Sequence, residues 1–192
     1  MGRARDVTAV AIGTSAGGIE ALSVLLPALP AGLRAPVFVV LHLPPDRPSL
    51  LVDVLGPKSQ VPVREAEDKT AIEPGVVYFA PPDYHLLVDH GPTFTLSADD
   101  PVHFSRPSID VLFESAAEVF GSGLLGIILT GASEDGSRGL DAVGRAGGWT
   151  IVQEPREARV PFMAEAAIRR ASVDLVLPLD DIAGLLRTLP HD

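Results

Sequence analysis

Cysteine is absent from the 192 residues, and this excludes a thiol nucleophile, a zinc–thiolate site and a disulfide framework together. Positive charge is in short supply as well. Fifteen basic against 25 acidic side chains leave a formal net charge of −10, which argues against a nucleic-acid phosphate backbone or an anionic membrane surface as a partner. Long hydrophobic runs are also lacking. The first apolar stretch, 7–12, is too short for a signal-peptide core and far too short to cross a bilayer, so a cytoplasmic protein without membrane insertion is expected. There is no internal repeat, no low-complexity tract and no long linker, because the 18 Gly and 18 Pro are dispersed between apolar runs. With 46% hydrophobic and 21% charged residues, a chain of this length can bury roughly 70% of its unfolded surface without help from a metal. A single domain over 7–189, with tails at 1–6 and 190–192, is the expectation.

What is present alternates in type. Apolar runs rich in β-branched residues recur at 7–12, 36–42, 124–130, 149–152 and 173–177, as suits strands buried on both faces of a parallel sheet. Segments of helical period lie between and after them, at 18–29, 108–120, 137–146, 161–170 and 180–189. Ser108 after Pro107, Pro161, and the Asp180-Asp181 pair supply helix-start signals. The βαβα order predicts a doubly wound α/β fold, a mostly parallel sheet with helices on both faces. From about Val61 to Leu96 the pattern changes to short strands at 76–80, 85–88 and 93–96, separated by Pro81-Pro82-Asp83 and Asp89-His90-Gly91-Pro92. An antiparallel β-hairpin inserted between the two halves of the sheet is expected there.

Ligands of open parallel sheets bind outside the carboxyl ends of the strands, so the residues that follow each apolar run carry the chemical information. The first run ends in Gly13-Thr14-Ser15-Ala16-Gly17-Gly18, the second in His42-Leu43-Pro44-Pro45, and the run at 124–130 in Gly131-Ala132-Ser133-Glu134-Asp135-Gly136. Gly13-Thr14-Ser15-Ala16-Gly17 satisfies Gly-x-Ser-x-Gly between a strand and a helix, where small neighbours allow a sharp turn that exposes the serine oxygen. A serine hydroxyl needs a base near neutral pKa, which His42 can provide, and the imidazole needs an orienting carboxylate, which Asp135 can provide. Free N–H groups at the start of the following helix suit a developing oxyanion.

Each piece alone has a plainer reading: a turn, a partly buried histidine, a cap. Their coincidence at one rim is what favours catalysis. Dinucleotide binding fits less well, because Gly13-x-x-x-Gly17-Gly18 is not Gly-x-Gly-x-x-Gly and the second strand ends in a histidine rather than a ribose-binding acid. No Gly-Lys-Ser/Thr follows to make a P-loop. His85, His90 and His103 share the inserted region with Asp83 and Asp89, but in no standard metal-ligand spacing, so neither metal nor cofactor is expected. The α/β-hydrolase order of Ser, acid, His is also not met, since the histidine here precedes the acid.

Five ordered segments resemble the catalytic domain of the chemotaxis protein-glutamate methylesterases, the CheB family. They are Ile12-Gly13-Thr14-Ser15-Ala16-Gly17-Gly18, Leu41-His42-Leu43-Pro44, Val77-Tyr78-Phe79-Ala80-Pro81-Pro82-Asp83-Tyr84-His85-Leu86, Arg106-Pro107-Ser108-Ile109-Asp110-Val111-Leu112-Phe113, and Leu129-Thr130-Gly131-Ala132-Ser133-Glu134-Asp135-Gly136. The resemblance implies a serine hydrolase that removes methyl esters from glutamate side chains of methyl-accepting chemoreceptors, and that also deamidates receptor glutamines. Ser15 would be nucleophile, His42 base and Asp135 orienting acid, without cofactor. The oxyanion would meet backbone around Ala16, Gly17, Gly131 and Ala132. Arg106 is expected to hold the acidic surface around the ester, and a basic patch including Arg106 and Arg138 to offset the negative charge of both partners. Cytoplasmic receptor helices are the expected substrate, with a methyltransferase or a separate response regulator as further partners.

The sequence departs from the family in three places. Ala16 stands where threonine usually follows the nucleophile, and Ala132-Ser133 where Met-Gly is usual. Many members also carry an N-terminal receiver domain over the active site, whereas Ser15 here follows Met1 by fourteen positions, so a stand-alone form or an excised catalytic domain is expected. A general small-molecule carboxylesterase and a non-catalytic signalling module of the same fold are the alternatives.

Overall fold

The computed structural model describes residues 6–44 and 49–192; residues 1–5 of the expected N-terminal tail and Pro45 of the His42 segment lie outside the described residues. Nine strands are described. Seven of them, β1 (Ala9–Thr14), β2 (Val37–Leu41), β3 (Val63–Glu65), β4 (Val77–Phe79), β7 (Leu124–Ile128), β8 (Trp149–Gln153) and β9 (Leu175–Leu177), form one sheet in the order β3-β4-β2-β1-β7-β8-β9. All of its pairings are parallel. The remaining two, β5 (His85–Asp89) and β6 (Thr93–Ser97), pair antiparallel as a separate hairpin.

Strand residues alternate between two apolar layers. Val10 and Ile12 of β1, Val37 and Val39 of β2, and Leu125 and Ile127 of β7 join one buried cluster, together with Leu22 and Leu25 of α1 (Gly18–Leu25), Leu51 and Leu55 of α2 (Leu51–Leu55), and Ile182 and Leu186 of α6 (Leu179–Leu186). Ala9, Ala11, Phe38, Val40 and Ile128 face the other cluster, against α3 (Ile109–Phe120), α4 (Ser137–Arg145) and α5 (Phe162–Arg170). Burial on both faces is why these strands read as continuous apolar runs. The doubly wound α/β architecture inferred from the sequence is therefore present. None of the helices among the described residues is long and apolar enough to cross a membrane.

The inserted region needs one correction. The run at 76–80 is not part of the antiparallel hairpin; its centre, β4, is a parallel strand between β2 and β3. Val77 and Phe79 point into one apolar cluster and Tyr78 into the other, and burial on both faces requires neighbours on both sides of the sheet. The hairpin proper packs its Leu86, Val88 and Phe94 under α3, and Phe94 meets Tyr78 and Phe38 edge-on. After β1 and β2 the chain lays β3 at the edge and then β4 between β3 and β2, before it returns across β1 to build β7, β8 and β9. The strand order thus reverses about β1, a topological switch point at which α/β sheets open a crevice.

Candidate active site

Ser15, His42 and Asp135 follow β1, β2 and β7, three neighbouring strands, so all three emerge at the crevice. Thr14 pairs with Leu41 across β1 and β2, and the His42 N–H donates to Thr14 O at 3.2 Å, so Ser15 and His42 leave the ends of adjacent strands at the same level. The Ser15 N–H donates to Thr130 O (3.0 Å), joining the turn to the end of β7. Thr14 Oγ1 donates to the same carbonyl (2.8 Å), and Thr130 Oγ1 donates back to Ala16 O (2.8 Å). These threonine stitches fix the Ser15 backbone from both sides.

Asp135 is fully buried and hydrogen-bonded on both oxygens. Its Oδ2 accepts from His42 Nε2 (2.7 Å) and the Ile109 N–H (2.7 Å), and its Oδ1 accepts from Ser108 Oγ (2.8 Å) and the Asp110 N–H (3.0 Å). Ile109 and Asp110 open α3, so the carboxylate sits on the positive end of a twelve-residue helix. Burial by itself would raise its pKa, but the hydrogen bond and charge of His42 and the helix N–H groups prevail and hold it below the ordinary carboxylate value. An ionised Asp135 can only accept, so the proton of a neutral His42 ring resides on Nε2 and leaves Nδ1 as the basic nitrogen. Nδ1 stands 3.3 Å from Ser105 Oγ.

Asp110 is the second fully buried acid. Its Oδ1 accepts from the Gly136 and Gly139 N–H groups (2.9 and 2.7 Å) at the start of α4. Its Oδ2 has no hydrogen-bond partner among the described residues; His103 Nε2 (3.5 Å) and Arg138 Nε (3.9 Å) stand near it. Burial is the main reason that its pKa is raised, helped by the negative charge of Asp135 and opposed by the two glycine N–H groups and Arg138.

The loop backbones divide in their capacity to bind an oxyanion. Among the described residues, the N–H groups of Ala16, Gly17 and Ala132 have no acceptor, and Ala16 and Ala132 are exposed. Gly131 is different: its N–H is committed to Val160 O (3.0 Å), which removes it from the expected set of donors. It is glycine for another reason. A Cβ there would lie 2.7 Å from the Met163 thioether and 3.0 Å from Ser15 Cβ, so its absence lets the β7 loop close on the serine. Gly17 has φ +84°, a left-handed conformation natural to glycine, and turns the chain into α1.

Arg106 is engaged by groups of the protein itself. It donates to Asp83 Oδ1 through Nε (3.0 Å) and Nη2 (2.6 Å), and to Ala98 O and Asp99 O through Nη1 (2.9 and 3.0 Å). Its role is to pin the segment before Pro107 beside His42, whose cleft it shares with Leu43, Phe104 and Ser105. Arg138 is likewise paired, with Glu114 at 2.6 Å, so the expected basic patch of Arg106 and Arg138 is neutralised in place. His85, one of the histidines weighed for metal binding, accepts the Ser108 N–H at Nδ1 (3.1 Å) and faces Asp100 O with Nε2 (3.0 Å), which makes it a brace for the α3 start.

Sequence reasoning missed Ser105, Ser108 and Met163. Ser108 carried a signal as a helix cap, but its bond to Asp135 depends on a contact between distant segments.

The family pattern described as CheB methylesterase matches residues 10–186. A protein-glutamate methylesterase/protein-glutamine glutaminase of Archaeoglobus fulgidus is 38% identical over 185 residues, 95% of this chain and 53% of that one. The corresponding protein of Symbiobacterium thermophilum is 40% identical over 177 residues, 92% of this chain and 49% of that one, so the chain spans about half the length of these relatives. A Leptospira interrogans protein that bears the same designation provisionally is 45% identical over 184 residues, 96% of this chain and 95% of that one. The crystal structure of the Thermotoga maritima CheB methylesterase catalytic domain superposes with a TM-score of 0.90 at 35% identity, covering 94% of this chain and 97% of that one.

Proposed function

The chain belongs to the CheB methylesterase family, and from that premise we propose that it is a protein-glutamate methylesterase in which Ser15, His42 and Asp135 hydrolyse the ester. The observation that carries the assignment is the 2.7 Å contact between His42 Nε2 and a buried, helix-capped Asp135, beside a serine on a glycine-rich turn. A carboxylate so placed orients the ring and stabilises the imidazolium that forms when Nδ1 takes a proton.

The reaction follows in two halves. Ser15 Oγ attacks the γ-carbonyl carbon of a methylated glutamate while its proton moves to His42 Nδ1. The tetrahedral oxyanion meets the unengaged N–H groups of Ala16, Gly17 and Ala132, and loss of one such donor typically costs about 10²–10³ in turnover. The bond to methoxide breaks, His42 returns the proton, and methanol leaves a glutamyl ester on Ser15. Water then attacks this ester, again giving a proton to His42, and collapse restores the serine and releases glutamate. A glutamine side chain would enter the same sequence with ammonia as leaving group.

Ser105 also lies near His42 Nδ1, but its geometry suits a nucleophile less well. Its N–H and C=O are spent on Val102 (2.9 and 3.1 Å) in a short bridged turn, and it follows no strand of the main sheet and opens no helix. The substrate would be a methylated chemoreceptor segment, and the place of action the cytoplasm. Methanol release from chemoreceptor membranes carrying radioactive methyl esters tests the function. Release by the wild type that is abolished in Ser15→Ala supports it, and hydrolysis of p-nitrophenyl acetate with no release of methanol would overturn it.

A further inference from the structure

We propose that Arg159 is a specificity-determining residue that pairs with a carboxylate flanking the ester on the substrate, and that Glu20 competes with the substrate for it. This deepens the methylesterase reading and rests on it. A segment whose modified residues are glutamates brings negative charge to a chain of net charge −10, so recognition calls for a local cation at the crevice.

Arg106, Arg138 and Arg159 each stand close to a triad loop. Arg106 is bound on three of its nitrogens, with a side chain 22% exposed, and Arg138 is bridged to Glu114 and faces buried Asp110. Arg159 is held differently. Its stem lies over the nucleophile turn, so that a Cβ on Gly17 would come within 2.9 Å of Arg159 Cβ and 3.1 Å of Cδ. The neighbouring Val160 anchors this segment by donating to Thr130 Oγ1 (2.9 Å) and accepting from the Gly131 N–H (3.0 Å). The backbone of Arg159 is therefore fixed beside the Ser15 turn, while its side chain is 68% exposed and its guanidinium is paired with Glu20, whose side chain is 65% exposed.

An ion pair between two water-exposed side chains is weak, and an incoming carboxylate can replace Glu20 without uncovering a buried charge. The guanidinium can take such a carboxylate with two parallel N–H bonds. Glu20, on the first turn of α1, then acts as an internal stand-in for the substrate acid.

The test uses two helical peptides with one γ-methyl glutamate, flanked one helical turn away either by glutamates or by glutamines, and reads methanol release. For Arg159→Ala, the ratio of kcat/KM between the glutamate-flanked and glutamine-flanked peptides should fall about fivefold, the range of an exposed ion pair, with the loss carried by KM. Arg159→Lys should keep part of the preference, and Glu20→Gln should raise it by lowering KM for the glutamate-flanked peptide. An unchanged ratio in both Arg159→Ala and Glu20→Gln would overturn the role of Arg159 alone. If the wild type releases no methanol from either peptide, yet hydrolyses p-nitrophenyl acetate in a Ser15-dependent way, the methylesterase reading falls and this one with it.

Discussion

Asp110 and Asp135 cap each other's helices. Asp135, one residue before the Gly136 cap of α4, accepts the first N–H groups of α3, while Asp110, in the first turn of α3, accepts the first N–H groups of α4. Two buried carboxylates thus lock the helix starts together, and the one that faces His42 inherits its position from that lock.

Replacing Asp135 should therefore cost both rate and stability. Asp135→Asn is expected to lower kcat by about 10³–10⁴, because the amide cannot hold the imidazole in the same tautomer and charge state. Asp135→Ala should in addition lower stability by about 1–3 kcal/mol, since it leaves the buried N–H groups of Ile109 and Asp110 without an acceptor. Steady-state kinetics and urea unfolding measure the two effects separately.

The two acids should respond to pH with opposite sign. Asp135 has a depressed folded pKa, so its stabilisation is present above the unfolded value of about 3.9 and is lost as pH falls through the folded value. Asp110 has a raised folded pKa, so the folded state binds its proton more tightly and its charge weighs against folding as pH rises through that value. Asp110→Asn, which can keep an oxygen on Gly136 and Gly139, should gain stability relative to the wild type as pH rises from the unfolded value of about 3.9 through the folded value. Melting temperatures across that interval measure the trend, and a relative loss with rising pH would contradict it.

Arg106→Ala should behave as the loss of a brace rather than of a substrate contact. With the bonds to Asp83, Ala98 and Asp99 gone, stability is expected to fall by about 1–3 kcal/mol. Asp83→Ala should produce much of the same loss, and the double variant should be distinctly less than additive. Full additivity in unfolding experiments would separate the two residues.

Gly131→Ala drives a methyl group against the Met163 thioether and Ser15 Cβ. A destabilisation of about 1–3 kcal/mol and a fall in kcat are expected. Adding Met163→Ala should recover part of the stability but little of the rate, because the clash with Ser15 remains. Comparing melting temperature with turnover in the single and double variants distinguishes the two contacts.

Most of the sheet was legible because its strands are buried on both faces, which writes continuous apolar runs into the sequence. β3 escaped notice since it is an edge strand of three residues with Arg64 and Glu65 exposed, and α2 because five residues carry too little periodicity. The pattern around β4 resembles a hairpin arm because Pro81-Pro82-Asp83 follows it, although that turn leads out of the main sheet. At the site, Ser15 and His42 stood out because each directly follows a strand, and Asp135 because it lies in the glycine-flanked loop after β7; strand order brings these ends together. What Arg106 and Gly131 do was not visible, because it depends on partners far along the chain: the Asp83 carboxylate and Val160 carbonyl that take up their donors.

The proposed chemistry rests on Ser15 as the nucleophile and His42 as its base. Reaction of the folded protein with a fluorophosphonate, followed by mass spectrometry of its peptides, tests this most directly. One phosphonyl group on Ser15 in the wild type, with the rate of labelling strongly reduced in His42→Ala, is the expected result. Labelling of Ser105 in place of Ser15, or labelling of Ser15 at the same rate in His42→Ala, would contradict it.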